Sequence, residues 1–373
     1  MKNERGMIRR LSFLLLVSLM LAASSTGAQS PAPAWKSQWE ASVSAAKGEG
    51  TVAVVGPPGV QWRQATMEFQ KAFPALKVEF IGLGGSDLIP RIAAERRGGK
   101  FLWDVIITGA SRAFPLKQAA SLDPLTPALI LPEVLGDAGW IGGFADGWMD
   151  REKRFVYGFM GEVSPSVYVN RDMVPEKDLT SVEQLTDQKW RGKIIWNDPR
   201  SPGSGGFEAA NLLYALGEDF LMKLLKQDII PTKDLRQQVD WIVRGKYPVA
   251  IGLDYRFLAE FQKQGVGVAV VPLAPETPAG GGHRLSPGFG CVMLVNRAPH
   301  PAAAKVFINW LMSREGQDVY VKETAVNSRR LDAVTGREVA RPKPGIKPYN
   351  LNKEELVPLY YDKAIKMAKE MVK

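Results

Sequence analysis

The sequence predicts an α/β protein made of two units, each a mostly parallel sheet flanked by helices. Short apolar, β-branched runs alternate with segments of helical period along the chain after residue 50. That alternation builds parallel sheets with right-handed crossovers. The 373 residues suit about two domains, at roughly 100–200 residues each. A hydrophobic fraction of 45% and a charged fraction of 23% are those of a globular chain, which excludes disorder, collagen and coiled coil.

The first 28 residues stand apart. Lys2, Arg5, Arg9 and Arg10 precede an apolar run at 11–23, and the small residues Ser24, Ser25, Thr26, Gly27 and Ala28 follow. This is the three-part pattern of a secretory signal, with the cut expected after Ala28. The run is shorter than the roughly 20 residues of a membrane span, although an N-terminal anchor is the alternative. Arg9-Arg10 hints at the twin-arginine route, but the flanking residues fit the general route better. No cysteine lies near the cut to carry a lipid. The segment holds four basic residues against Glu4, +3 of the chain's +9, so the remainder carries +6. That excess can steer small anions into a cleft. It forms no block of five or six basic residues, so nucleic-acid binding is not expected.

The first unit opens with a strand at 51–55, ended by Gly56-Pro57-Pro58-Gly59. A helix at 62–73 follows, with Ala65, Phe69 and Phe73 four apart and Pro74 stopping it. A strand at 77–81, a helix at 88–97 closed by Gly98-Gly99, and a strand at 104–108 ended by Gly109 complete a β-α-β-α-β series. In the middle, 155–170 is strand-rich, 194–196 is a short buried strand, and 204–216 is a helix with Ala209, Leu212, Leu213 and Leu216 on one face. A helix at 232–243 follows. Strands at 248–252 and 267–271 flank a helix at 256–264. The strand at 288–295 and the helix at 302–312, with Val306, Ile308, Trp310 and Leu311 for packing, can return to the first unit. Both units are then discontinuous and joined by two crossing strands. An amphipathic helix at 354–372 closes the chain.

No catalytic set emerges. One Cys and two His exclude a zinc site of about four such ligands, and a lone Cys excludes a disulfide framework. Gly203-Ser204-Gly205 lacks the spacing of a nucleophile elbow. There is no Walker A motif and no GxGxxG. His300 lies between two prolines and reads as a turn or cap; His283 follows three glycines and reads as solvated. Cys291, inside an apolar strand, reads as a small buried hydrophobe. Trp190, Trp196, Trp241 and Trp310 sit in periodic segments and read as core. No cofactor or metal is expected, and the chain reads as a binder rather than an enzyme.

The distinctive features are the strand exits, because open α/β sheets bind ligands beyond the carboxyl ends of their strands. One exit offers Gln61 and Trp62, the latter either stacking on a ligand or packing in the core. A second offers Thr108, Ser111 and Arg112. A third holds Ser204, Gly205 and Gly206, where Ser204 as N-cap and the next amides can nest an anion or simply cap a helix. The fourth holds Asp254, Tyr255 and Arg256, whose guanidinium can fork onto a carboxylate or phosphate or form a surface salt bridge.

Four segments then carry a likeness. They are Trp103-Asp104-Val105-Ile106-Ile107-Thr108; Val167-Tyr168-Val169-Asn170-Arg171-Asp172; Lys189-Trp190-Arg191-Gly192-Lys193-Ile194 with Asp198-Pro199; and Ala298-Pro299-His300-Pro301 with Ala302, Ala303, Ala304 and Lys305, continuing to Phe307, Trp310, Leu311, Ser313, Glu315, Gly316 and Gln317. In this order and spacing the chain resembles the periplasmic solute-binding proteins of ABC transporters. The likeness is to the type 2 group that includes ferric-ion, thiamine, polyamine and phosphonate binders. The resemblance implies the two-lobed type 2 periplasmic binding protein fold. Residues 35–160 and 287–340 would form the N-terminal lobe, and 161–286 and 341–373 the C-terminal lobe. It further implies a periplasmic monomer that closes on a small-molecule ligand and delivers it to a membrane permease.

The ferric members hold iron through a tyrosine pair, with a glutamate and a histidine in some, plus a synergistic anion. Here Tyr255 fits the first tyrosine, but Arg256 replaces the second, Gly109 stands at the glutamate position, and no His occurs at 56–62. The anion loop fits as Ser204-Gly205-Gly206-Phe207. The departure favours an anionic carboxylate or phosphonate over bare ferric ion, and argues against polyamines. Ferric ion bound with an anion, an exported enzyme on a similar two-lobed framework, and a sensor that docks to a membrane receptor are the alternatives.

Overall fold

A computed structural model describes residues 33–372; the expected signal segment at 1–28 lies outside them. Two sheets organise the chain. The first contains β1 (Thr51–Gly56), β2 (Lys77–Gly82), β3 (Val105–Thr108), β4 (Leu122–Asp123) and β5 (Tyr157–Gly158). A late strand, Cys291–Val295, inserts between β3 and β4, and β5 also pairs with it. After β5 come β6 (Glu162–Val163), β7 (Val167–Asn170), β8 (Ile194–Asn197), β9 (Ile230–Thr232), β10 (Val249–Ile251), β11 (Val270–Pro272), β12 (Leu285–Ser286) and that late strand, β13. The second sheet has the order β11-β7-β10-β8-β9.

The strands are nearly all apolar because both faces of each sheet are covered. Successive side chains alternate between faces, and the cores follow that period. Val52, Val54, Val105, Ile107 and Val292 join one cluster, while Val55, Ile106, Cys291 and Met293 join the other. In the second sheet Val167, Val169, Ile194, Trp196, Val249 and Ile251 face one cluster; Tyr168, Ile195 and Ala250 face the other. Trp190, Trp196 and Trp310 are buried, and Trp241 packs half-buried against the second sheet.

The sheets are more mixed than the β-α-β series implies. β1 pairs parallel with β2 and β3, and β8 pairs parallel with β9 and β10. β13 runs antiparallel to β3, and β7 antiparallel to β10 and β11. The reason is that β13 and β7 are the strands by which the chain re-enters each sheet after crossing from the other. On the way across, β6 and β12 pair antiparallel, with Val163 opposite Leu285 and Glu162 opposite Ser286.

Several boundaries differ from expectation. The strand at 267–271 shrinks to β11 because Gly265 and Gly267 adopt left-handed φ of 76° and 70°. The helix 232–243 begins only at Leu235, where Asp234 accepts the amides of Arg236 and Gln237 as its cap. The closing helix is a wide-turned stretch, Val357–Asp362, running into the helix Lys363–Met371. Its expected start is tied elsewhere: Lys353 pairs with Asp146, and Glu354 with Lys117, both on the first sheet's side. The helix Lys363–Met371 buries Ala364, Ile365, Met367 and Ala368 against the second sheet.

Neither histidine is poised for chemistry. The fully buried Asp104 accepts the Ala53 amide at 2.7 Å, the His300 amide at 2.7 Å and the His300 ring Nδ1 at 2.9 Å. His300 is thereby fixed as the N-cap residue of the helix Pro301–Met312, without a side-chain capping bond. The His283 ring bonds the Glu276 carbonyl at 2.8 Å, so it is held rather than freely solvated. Burial pushes the Cys291 thiol up to about 12, so it remains an inert thiol.

Candidate functional site

The site is built where the exits of β8 and β10 adjoin. At the end of β8, Asn197 turns its side-chain carbonyl onto the start of the helix Ser204–Leu216. It accepts the Ser204 hydroxyl at 2.7 Å and the Gly205 amide at 2.9 Å. Gly203, not Ser204, is the N-cap residue. Ser204 therefore caps nothing; its hydroxyl is spent on Asn197, because the sharp Gly203 turn places it already inside the first helical turn. The Gly203 amide donates to the Tyr361 hydroxyl at 3.0 Å, and the Tyr361 ring lies 4.3 Å from that of Phe207. Gly205 and Gly206 are buried. A Cβ on Gly205 would sit 1.7 Å from the Asn197 carbonyl oxygen, so only glycine permits this approach.

The loop after β10 leans on this cradle. Gly252 takes a left-handed φ of 71°, and a Cβ there would meet Gly205 Cα at 3.5 Å and Glu208 Cγ at 3.5 Å. Asp254 then caps the helix Tyr255–Gln262, accepting the Arg256 amide at 2.9 Å. The Arg256 side chain bends back to give the same carboxylate two more bonds, at 3.0 and 2.6 Å. Of the two readings of Arg256, the structure displays the salt bridge, with the guanidinium on the surface. Burial opposes ionisation of Asp254, but the hydrogen bonds and charge of Arg256, and the charge of Arg337, hold its carboxyl below the ordinary range.

Arg337 comes from a distant stretch. Its Nε and Nη2 donate to Glu162 of β6 at 3.2 and 2.5 Å, and its guanidinium carbon lies 6.0 Å from the centre of the Tyr255 ring. Beneath this group, Glu208 and Arg284 form a buried ion pair on the cradle helix's inner face. Burial pushes the Glu208 carboxyl up, and Arg284 opposes this. Burial, and then the nearby Glu208 and Tyr255, push the Tyr168 phenol well above its ordinary value.

From the first sheet, Thr108 is buried opposite Cys291, and Ser111 is exposed in the first turn of the helix Ala110–Gln118. Arg112 lies over the Phe289 ring at 5.8 Å. Gln61 is exposed and folds over Gly59. Trp62 is 7% exposed and packs in the core with its ring edge-on to Phe289, 6.3 Å away. The exposed ring at this exit is Phe289. The structure thus gathers Ser204, Gly205, Gly206, Asp254, Tyr255 and Arg256, sets Arg112 against Phe289 on the other sheet's exit, and buries Thr108 and Trp62.

Reading the sequence alone misses Asn197, Phe289, Arg337, Glu162 and Tyr361. Asn197 had a signal, a polar residue ending an apolar strand before Asp198-Pro199. Arg337 and Glu162 had none, since each gains meaning only through a partner far along the chain. Among the described residues no group of three His, Cys, Asp or Glu side chains is placed to hold a metal. A surface cavity lined by Arg171, Thr180, Val271 and Glu276 shares none of the site residues.

Two α/β sheets, a paired crossing between them and polar exits on both sheets define a two-lobed solute binder. The chain belongs to the bacterial extracellular solute-binding protein family, whose profile matches residues 53–318. It is accordingly the binding component of an ABC importer, not an enzyme, and its partners are a small solute and a membrane permease. The family is extracellular, and among the described residues no helix is long and apolar enough to cross a membrane. No curated protein sequence matches the chain significantly. Solved structures share its fold. Iron-bound HitA from Pseudomonas aeruginosa is 16% identical with a TM-score of 0.64, over 86% of this chain and 99% of that one. Trichodesmium IdiA (FutA), in complex with iron and citrate, is 19% identical with a TM-score of 0.66, over 86% and 99%. A ferric binding protein from Campylobacter jejuni is 14% identical with a TM-score of 0.63, over 86% and 99%.

Proposed function

We propose that this protein captures a small anionic solute, an organic carboxylate or phosphonate, between its two lobes in the periplasm. The lobes would be 35–160 with 287–340, and 161–286 with 341–373. Closure is a population shift toward the state in which the solute bridges both lobes. The observation that carries this reading is the position of Arg112. Its guanidinium, rooted in the first lobe, lies 5.8 Å over the exposed Phe289 ring at that lobe's strand exit, while the second lobe offers the buried Gly205 and Gly206 at the start of the helix Ser204–Leu216. A cation on one side and a helix N-terminus on the other both favour a negative charge between them.

The test is calorimetry with acetate, succinate, citrate, methylphosphonate, inorganic phosphate and ferric citrate. An anion should bind, and Arg112→Ala should weaken it about tenfold or more, the worth of a charge-assisted hydrogen bond. Binding of none of these anions would overturn the reading. The second reading is ferric ion with a companion anion. It is favoured by the iron and citrate in the Trichodesmium structure. Against it stand Arg337 over the Tyr255 ring and Arg256 beside it, which repel a cation. Ferric binding that survives Arg256→Ala would instate it.

A further inference from the structure

We infer that Arg337 is the specificity-determining cation of the cleft, and that Glu162 is the residue that positions it. The inference rests on the anionic-solute reading and names a residue that reading does not use. Arg337 is fixed from several directions. The Asn327 side chain accepts the Gly336 and Arg337 amides, both at 2.9 Å, and donates to the Arg337 carbonyl at 2.8 Å. Glu162 accepts the Asn327 amide at 3.1 Å as well as the two guanidinium bonds. A long side chain that normally loses much rotamer freedom on binding is therefore ordered in advance.

This grip uses one edge of the guanidinium. Among the described residues Nη1 forms no hydrogen bond, and the group stays in partial contact with solvent, its side chain 27% exposed. It lies against Tyr255, and its charge is felt at Asp254 and Tyr168. Arg256 differs from it in exposure. That side chain is 76% exposed and committed to Asp254 through Nε and Nη2. An exposed surface cation is screened by water and salt, whereas a half-buried one is felt more strongly. Glu162 also lies on a crossing strand, so an anion on Arg337 touches the junction between the lobes.

The two residues should act with opposite sign. Removing the guanidinium removes a donor; removing the Glu162 charge leaves a cation less neutralised while an amide oxygen still accepts one of its bonds. Calorimetry with the six anions named above is run on wild type, Arg337→Ala, Arg337→Lys, Glu162→Gln and Arg256→Ala, with thermal unfolding of each. Expected are a loss of about tenfold or more for Arg337→Ala, partial rescue by Arg337→Lys, and equal or tighter binding for Glu162→Gln. Arg256→Ala should change affinity less than threefold. If Arg337→Ala and Glu162→Gln weaken binding together and lower the unfolding temperature together, Arg337 is merely structural and the inference fails. If wild type binds an anion and Arg337→Ala binds it equally, the inference fails while the anionic reading stands. If wild type binds none of the six, the anionic reading fails and takes this inference with it.

Discussion

Replacing Gly205 by alanine probes the cradle with one added carbon. The new Cβ would lie 1.7 Å from the Asn197 carbonyl oxygen, 2.5 Å from its carbon and 2.8 Å from the Asp198 carbonyl oxygen. All three obstacles are backbone, so no rotamer change relieves them. The helix start must retreat from β8, and the clash costs about 1–3 kcal/mol as overpacking. Retreat also breaks the two Asn197 bonds to Ser204 and Gly205, at about 0.5–1.5 kcal/mol each. The total loss is roughly 2–6 kcal/mol. Urea unfolding followed by tryptophan fluorescence reads it, because the Trp196 Nε1 donates to the Gly205 carbonyl at 3.3 Å. Gly48→Ala is the control: it lies in the helix Ala34–Glu49, and its Cβ meets nothing within 4 Å. That change should be neutral or stabilise by about 0.5–1 kcal/mol. A Gly205→Ala protein within about 0.5 kcal/mol of wild type, with unaltered anion binding, would refute the clash argument and the cradle with it.

Two further outcomes follow from buried charge. Arg284→Met leaves Glu208 buried without its cation and should cost about 3–5 kcal/mol in urea unfolding, while adding Glu208→Leu should recover most of the loss. For the pH dependence, Arg200 holds Asp198 below its ordinary value of 3.8 despite the opposing effect of burial. A depressed carboxyl contributes stability above pH 3.8 that fades as pH falls through its lower folded value. Asp198→Asn should therefore be less stable than wild type at pH 7, and the difference should shrink below pH 4 in acid titration of the urea midpoint.

How much of this was legible depended on whether a signal was local. β1, β3 and β13 declare themselves as runs of buried β-branched residues, and the glycines at 98 and 109 mark element ends within one residue. The mixed strand directions were hidden because direction is set by where the chain comes from, not by composition. Ser204, Gly205, Tyr255 and Arg112 were singled out because they follow strands that end abruptly. Trp62 was read as a candidate ring because position alone cannot say which way a side chain points; the exposed ring is Phe289, in an otherwise unmarked loop. Arg337 and Glu162 met only through folding, and nothing near either residue foretold the pairing.

The insertion of β13 between β3 and β4 dictates an order of assembly. Every strand of the second sheet is drawn from residues 167–272, so its ladder can pair as soon as that stretch has been synthesised, although one face stays uncovered until the helix Lys363–Met371 arrives. The earlier half must wait with a gap in its middle until residues 291–295 arrive and dock, a long-range closure of the kind that slows folding. The portion of the chain made first is thus held open long after its synthesis, and its exposed β3 edge is the surface a chaperone would need to shield in the interval.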